Sequence, residues 1–188
     1  MNTSNRSCLK FEEKVRKAFE FLSELGFDEV ETLPTLVRYR KGNIEVDVYH
    51  GRQSYEVGVG VTAFKTRYAI SEIIRAIDPA TAESFHYPLA TTPEGIVSAL
   101  EELSLLMKRY GRSAIDGDSQ FFSMLENQRK LWAEEYALHV LAEQLRPQAD
   151  EAFRRKDYSK AADLYSQIRK CLSPTELKKL SLAEERRA

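Results

Sequence analysis

Three histidines, two cysteines and an alternating run of arginines and acids are the residues with the most chemical reach in this chain. His50, His86 and His139 stand far apart, and none has further strong ligands at metal-binding spacing. His139 has Glu135 and Glu143 four residues to either side. That spacing suits charge pairing on a helix surface better than a closed zinc site. His86 sits between Phe85 and Tyr87 in a stretch that reads as loop, where binding groups concentrate. His50 is expected at a hairpin end, in solvent. Cys8 and Cys171 lie near opposite ends of the chain and read as plain thiols. Gly58-Val59-Gly60 lacks the third glycine and the following helix of a phosphate-binding turn. It offers instead a place where another group can approach a strand closely. The chain has no G-x-S-x-G motif and no Cys–His pairing that would activate a nucleophile. The expectation is a protein that is not an enzyme and carries no cofactor and no metal.

The strongest constellation is a charged one. Arg38, Arg40, Glu45, Asp47, Tyr49 and Glu56, together with Gly58 and Gly60, fall on one side of a period-two pattern. A turn at Gly42-Asn43 places Arg40 opposite Glu45 and Arg38 opposite Asp47. A turn at Lys41-Gly42 places Arg38 opposite Glu45. Either register sets opposite charges side by side, at about 0.2–1 kcal/mol per pair. A carboxylate beside a guanidinium is held in its charged form, the wrong form for a general acid. The face therefore reads as ion-paired sheet surface or as a docking surface. Phe85, His86 and Tyr87 complete the set of candidate partner-binding residues.

The elements that would position these residues are legible from periodicity and punctuation. Phe11, Val15, Ala18, Phe19, Leu22 and Leu25 recur at three and four, predicting one helix over 9–25, with Gly26 as its left-handed cap. Thr35–Arg40, Ile44–His50 and Ser54–Val61 then predict strands, with a short additional one near Glu29–Leu33. Val37, Tyr39, Ile44, Val46, Val48, Tyr55, Val57, Val59 and Val61 form the apolar face, which the first helix should cover. Ile73, Ile74 and Ile77 mark a short helix stopped at Asp78-Pro79, and 79–90 reads as irregular. Thr92-Pro93-Glu94 starts a helix that Gly111 ends. Arg112–Ser119 reads as a linker. A long helix follows, with Phe121, Phe122, Leu125, Trp132, Tyr136, Val140 and Leu141 on its expected buried side and Pro147 bending or breaking it. Two further helical pieces are divided near Asp157 and at Ser173-Pro174. The fold class is α+β: an N-terminal helix packed on a three- to four-stranded antiparallel meander, followed by an all-helical C-terminal half. The expected domains are 1–111 and 112–188.

Two stretches carry resemblances. Ala149, Ala152, Lys156-Asp157-Tyr158, Ala161, Tyr165 and Ser173-Pro174 resemble a single tetratricopeptide-type helical hairpin, without that pattern's usual glycine and early large aromatic. One repeat cannot build a solenoid, so a lone hairpin packed on the long helix is expected. Leu25-Gly26-Phe27, Pro34 to Tyr39 and Ser54 to Val59 are similar to small, mostly uncharacterised bacterial α+β proteins, some of which are immunity-protein-like. That resemblance implies a bacterial source and a protein partner, such as a toxin neutralised by binding. The alternative is a small-molecule ligand-binding or sensor protein.

Charge and hydropathy narrow the classes further. The net charge is −1, with 11 Lys+Arg against 7 Asp+Glu from Arg146 onward and 17 against 22 before it. The net charge argues against nonspecific nucleic-acid binding by the whole chain. The mildly basic tail, its charge blocks short and mixed, reads first as a solvated helical surface and second as a site for an acidic partner. No apolar run approaches the roughly 20 residues of a membrane helix, and Met1–Lys10 lacks the apolar stretch of a signal peptide. The expected location is the cytoplasm, with no membrane association.

Overall fold

A computed structural model of the chain describes residues 9–187, so Cys8 lies outside the described residues. The chain forms two compact units, Met1–Glu126 and Asn127–Ala188. The first begins with helices α1 (Phe11–Ala18) and α2 (Glu20–Glu24). Strands β1 (Asp28–Leu33), β2 (Leu36–Lys41), β3 (Ile44–His50), β4 (Val57–Ala63) and β5 (Thr66–Ala69) form one antiparallel sheet in sequence order. Helices α3 (Ile70–Ile77), α4 (Pro79–Ser84), α5 (Pro93–Tyr110) and α6 (Arg112–Ile115) follow. Helix α7 (Ser119–Arg154) begins in the first unit. The class is α+β, with five strands where three or four are predicted.

Period-two alternation does the organising. Val37, Val46, Val48, Val57, Val59 and Val61 are fully buried, and Tyr39 nearly so. They form one core with Phe11, Val15, Ile73, Ile74, Leu100 and Leu103. Helix α1 packs on β2, while α3 and α5 pack on β4. Burying each such side chain contributes about 1.5–3 kcal/mol.

The predicted first helix is interrupted at Phe19. Ser104 of α5 donates its hydroxyl to the Ala18 carbonyl at 2.6 Å. Leu22 N–H bonds Phe19 O at 2.9 Å, one residue short of the helical pattern. A side chain has entered the ladder, a standard cause of a break. Gly26 caps the second piece at φ +84°.

Strand β5 went unread because its turn carries no glycine or asparagine. Ala63 pairs with Thr66, so Phe64-Lys65 is a two-residue turn with φ of 51° and 66°. That left-handed geometry suits the hairpin twist but disfavours side chains with a Cβ. Ser54–Glu56 lies outside β4. Tyr55 takes φ 56° and is only half-buried, so it leaves the valine face. The stretch expected to be irregular opens with α4, capped by Asp78, whose carboxylate accepts from Thr81 N–H. Where a linker was predicted, α6 buries Ala114 and Ile115. The division by contacts falls within α7.

The second unit comprises the remainder of α7 with α8 (Tyr158–Gln167), a 3-10 turn at Arg169–Cys171, and α9 (Pro174–Glu185). Asp157 and Ser173 cap α8 and α9 at the predicted places. Ala149, Ala152, Ala161, Ala162, Tyr165, Leu180 and Ala183 form its core. Pro147 lies inside α7 without ending it. Packing of the next turns, at Ala149 and Ala152, offsets the lost backbone bond. Tyr136 and Leu141 are exposed rather than buried.

Asp150 accepts from Tyr165 Oη at 2.6 Å and from Lys179 Nζ at 2.5 Å. The Lys179 hydrogen bond, then that of Tyr165, holds the Asp150 carboxyl below its ordinary pKa. A depressed carboxyl contributes stability above its unfolded pKa and loses it as pH falls through the folded value. Thermal melts followed by circular dichroism at pH 7 and pH 3 should therefore show a smaller acid-induced drop in Tm for Asp150→Asn than for wild type. In the turn before β5, Lys65→Gly should raise stability by about 0.5–1 kcal/mol in urea titration, by relieving the left-handed conformation.

Candidate polar sheet face

Opposite the valines, the sheet carries its charges. Arg38 pairs in register with Asp47 and Arg40 with Glu45, which places the turn at Gly42-Asn43. Arg40 binds Glu45 through Nη2 at 2.6 Å and Nε at 2.9 Å. The side chain of Arg38 turns away from Asp47. It contacts Glu31 of β1 at 2.6 Å and Glu45 at 3.6 Å. Glu31, Arg38, Glu45 and Arg40 thus form one ladder of alternating sign.

Asp47 belongs to Arg67 of β5. Nε reaches Oδ1 at 2.9 Å and Nη2 reaches Oδ2 at 2.7 Å, a two-pronged pair. Arg67 stands opposite Thr62 and crosses Gly60 to get there. A Cβ on Gly60 would lie 2.5 Å from the guanidinium carbon. Gly58 plays the same part for Tyr49, whose ring would meet a Cβ there at 2.4 Å. The Arg67 guanidinium lies 5.4 Å from the Tyr49 ring centre, within cation–π range. Tyr49 Oη donates to Glu56 Oε1 at 2.7 Å. Asp47, Arg67, Tyr49 and Glu56 make a second chain of contacts, and Asp47 is buried beneath it.

The electrostatics follow from these contacts. Burial, then the hydrogen bond and charge of Glu56, raise the Tyr49 phenol above its ordinary pKa. At neutral pH it is a neutral donor. Burial opposes charge on Arg67, but the Asp47 hydrogen bonds and charge outweigh it and raise its pKa. The cluster keeps Arg67 charged and Tyr49 protonated.

The aromatic loop is less free than its composition suggests. Phe85 and Tyr87 meet edge to face at 5.0 Å and pack against the core. Tyr87 Oη and Ser71 Oγ lie 3.0 Å apart. Val57 N–H donates to Pro88 O, and Ala90 N–H to Tyr55 O, both at 2.9 Å. The loop so covers the start of β4, and of the three only His86 is exposed. His50 is buried, not solvated: Nε2 is 2.8 Å from Ala90 O and its ring stacks on Phe11. Packing of α1 and of the 85–90 segment over the strand end accounts for the difference.

At the hairpin tips the face changes character. Phe64 is 65% exposed and lines a hollow of 460 Å³ with Arg40, Asn43, Glu45, Thr62 and Lys65. Sequence reasoning did not single out Phe64, Lys65, Arg67 or Glu31. The Thr66–Ala69 alternation was a signal for β5, but without a recognisable turn it was too short to stand alone. Among the described residues, no three His, Cys, Asp or Glu side chains are grouped to hold a metal ion, and no helix is long and apolar enough to cross a membrane. No family model, curated protein or solved structure matches the chain.

Removing Arg67 strands the buried Asp47 charge. The Arg67 side chain is 40% exposed, so solvent screening reduces the effect. Arg67→Met should cost about 1–3 kcal/mol in urea titration, and the added change Asp47→Leu should recover most of that loss.

Proposed function

We propose that the chain is a non-enzymatic protein-binding module that docks its partner on the hairpin-tip end of the polar sheet face. The observation that carries this reading is Phe64. A large aromatic is held two-thirds exposed on a turn whose two residues both adopt left-handed geometry. Backbone strain of about 1–2 kcal/mol per residue is retained at a surface position, a pattern associated with functional sites. Arg40, Glu45 and Lys65 line the same hollow, and Phe64 meets Phe122 edge to face. Buried aromatic and arginine anchors are enriched among the residues that carry interface binding energy. The pattern at 25–27, 34–39 and 54–59, which resembles that of small immunity-protein-like bacterial proteins, makes a toxin the partner we propose, neutralised by occlusion in the cytoplasm.

The test is affinity capture from the cell of origin, using wild type and a Phe64→Ser/Arg40→Gln variant whose circular dichroism spectrum matches that of wild type. Titration of the recovered protein follows. Wild type should bind it at least about thirtyfold more tightly, the equivalent of one 2 kcal/mol anchor. A partner held equally by both proteins, or none at micromolar affinity, rules the reading out.

A further inference from the structure

Two hollows flank the Phe64 ring on opposite sides of the sheet. By register, Arg40, Glu45 and Thr62 belong to the charged side and line the hollow of 460 Å³. Thr66 and Tyr68 belong to the valine side, where a hollow of 470 Å³ extends to Ser123 and Glu126 of α7. Phe64 lines both, so a segment lying across the ring can lower a side chain into the first.

The polar groups of that first hollow are not in balance. Glu45 is satisfied: Arg40 gives Nε and Nη2 to one of its oxygens, and Arg38 approaches the other at 3.6 Å. Arg40 keeps Nη1, and its side chain is half exposed. Lys65 is exposed and, among the described residues, pairs with no acid. What the hollow leaves open is donors, one guanidinium nitrogen and one ammonium. Donors of this kind take an anion. The two cations, Arg40 and Lys65, stand against one acid, Glu45, and that surplus of a single charge fits one carboxylate. A phosphate, at about two charges, would be repelled by Glu45.

We propose that this hollow takes a glutamate or aspartate side chain from an acidic segment of the partner protein, its carboxylate on Lys65 and Arg40 and its apolar neighbour on Phe64. The inference rests on the docking function proposed for this face and adds the chemistry of the residue that enters it.

Four short peptides test it on the full chain. They share a central tryptophan–leucine pair, flanked on both sides by glutamate, glutamine, lysine or phosphoserine. Each is titrated into isotope-labelled protein while the amide shifts of 42–45 and 62–66 are followed. The glutamate peptide should bind about fivefold more tightly than the glutamine peptide at low ionic strength and lose that advantage as salt is raised. Lys65→Glu should erase the preference and Lys65→Arg should keep it, both with the circular dichroism spectrum of wild type. Absence of shifts, equal binding of the glutamate and glutamine peptides, a preference for phosphoserine, or a glutamate preference that survives Lys65→Glu overturns the inference. So does a captured partner whose affinity Phe64→Ser weakens and Lys65→Glu does not, an outcome that leaves the docking function standing. Capture that neither substitution weakens overturns both.

Discussion

Asp47 and Arg67 meet across β4 because Gly60 has no side chain. Helices α1, α3 and α5 pack on the sheet and share the core of its valine side, and the charged residues of the opposite side satisfy one another. Two glycines in β4 decide how. Over Gly58 lies the Tyr49 ring, over Gly60 the Arg67 guanidinium, and the two are within cation–π range. A buried carboxylate becomes tolerable because its partner approaches with both nitrogens and is itself partly solvated. Without β5, no arginine would stand at the position from which it can cross Gly60. The last strand is therefore as much an electrostatic element as a structural one.

That arrangement divides the polar face into parts of different character. Around Asp47 it is closed, with donors and acceptors matched and ionisation states held. Toward the hairpin tips it opens into the Arg40–Glu45 pair, Lys65 and Phe64. The Glu31–Arg38–Glu45–Arg40 ladder is solvated along most of its length, so each contact contributes modestly to stability. Such a ladder orders the surface and sets its pattern of charge, which governs partner choice more than affinity.

The second unit relies on another constraint, close approach of small residues. Alanines on α7, α8 and α9 bring the helices together around Tyr165, whose hydroxyl is spent on Asp150, itself tied to Lys179. Arg146 reaches the Cys171 carbonyl and Glu176, so the turn between α8 and α9 is anchored one residue before Pro147. With contacts on both sides of it, the proline loses its power to end the helix. The part of α7 upstream of these contacts is where apolar residues remain exposed.

Local chemistry was legible in the sequence wherever a feature depends on neighbours in the chain. Gly26 as a cap, a tight turn within 41–43, the starts at Thr92-Pro93 and Ser173-Pro174, and the valine face all follow from spacing and residue type, while the choice of Gly42-Asn43 over Lys41-Gly42 belongs to the folded sheet. Features decided by distant residues were not legible. Phe19 interrupts a helix because Ser104, far along the chain, takes the Ala18 carbonyl. His50 is buried because α1 and the 85–90 segment converge on it, and Asp47 chose Arg67 over its in-register neighbour Arg38. Sequence alone determined the α+β class and the two faces of the meander, since alternation and turn chemistry are properties of a local stretch. Only the tertiary structure decided which charges pair, which part of the polar face stays open and where α7 leaves apolar residues exposed, because those depend on what other segments bring within a few ångströms.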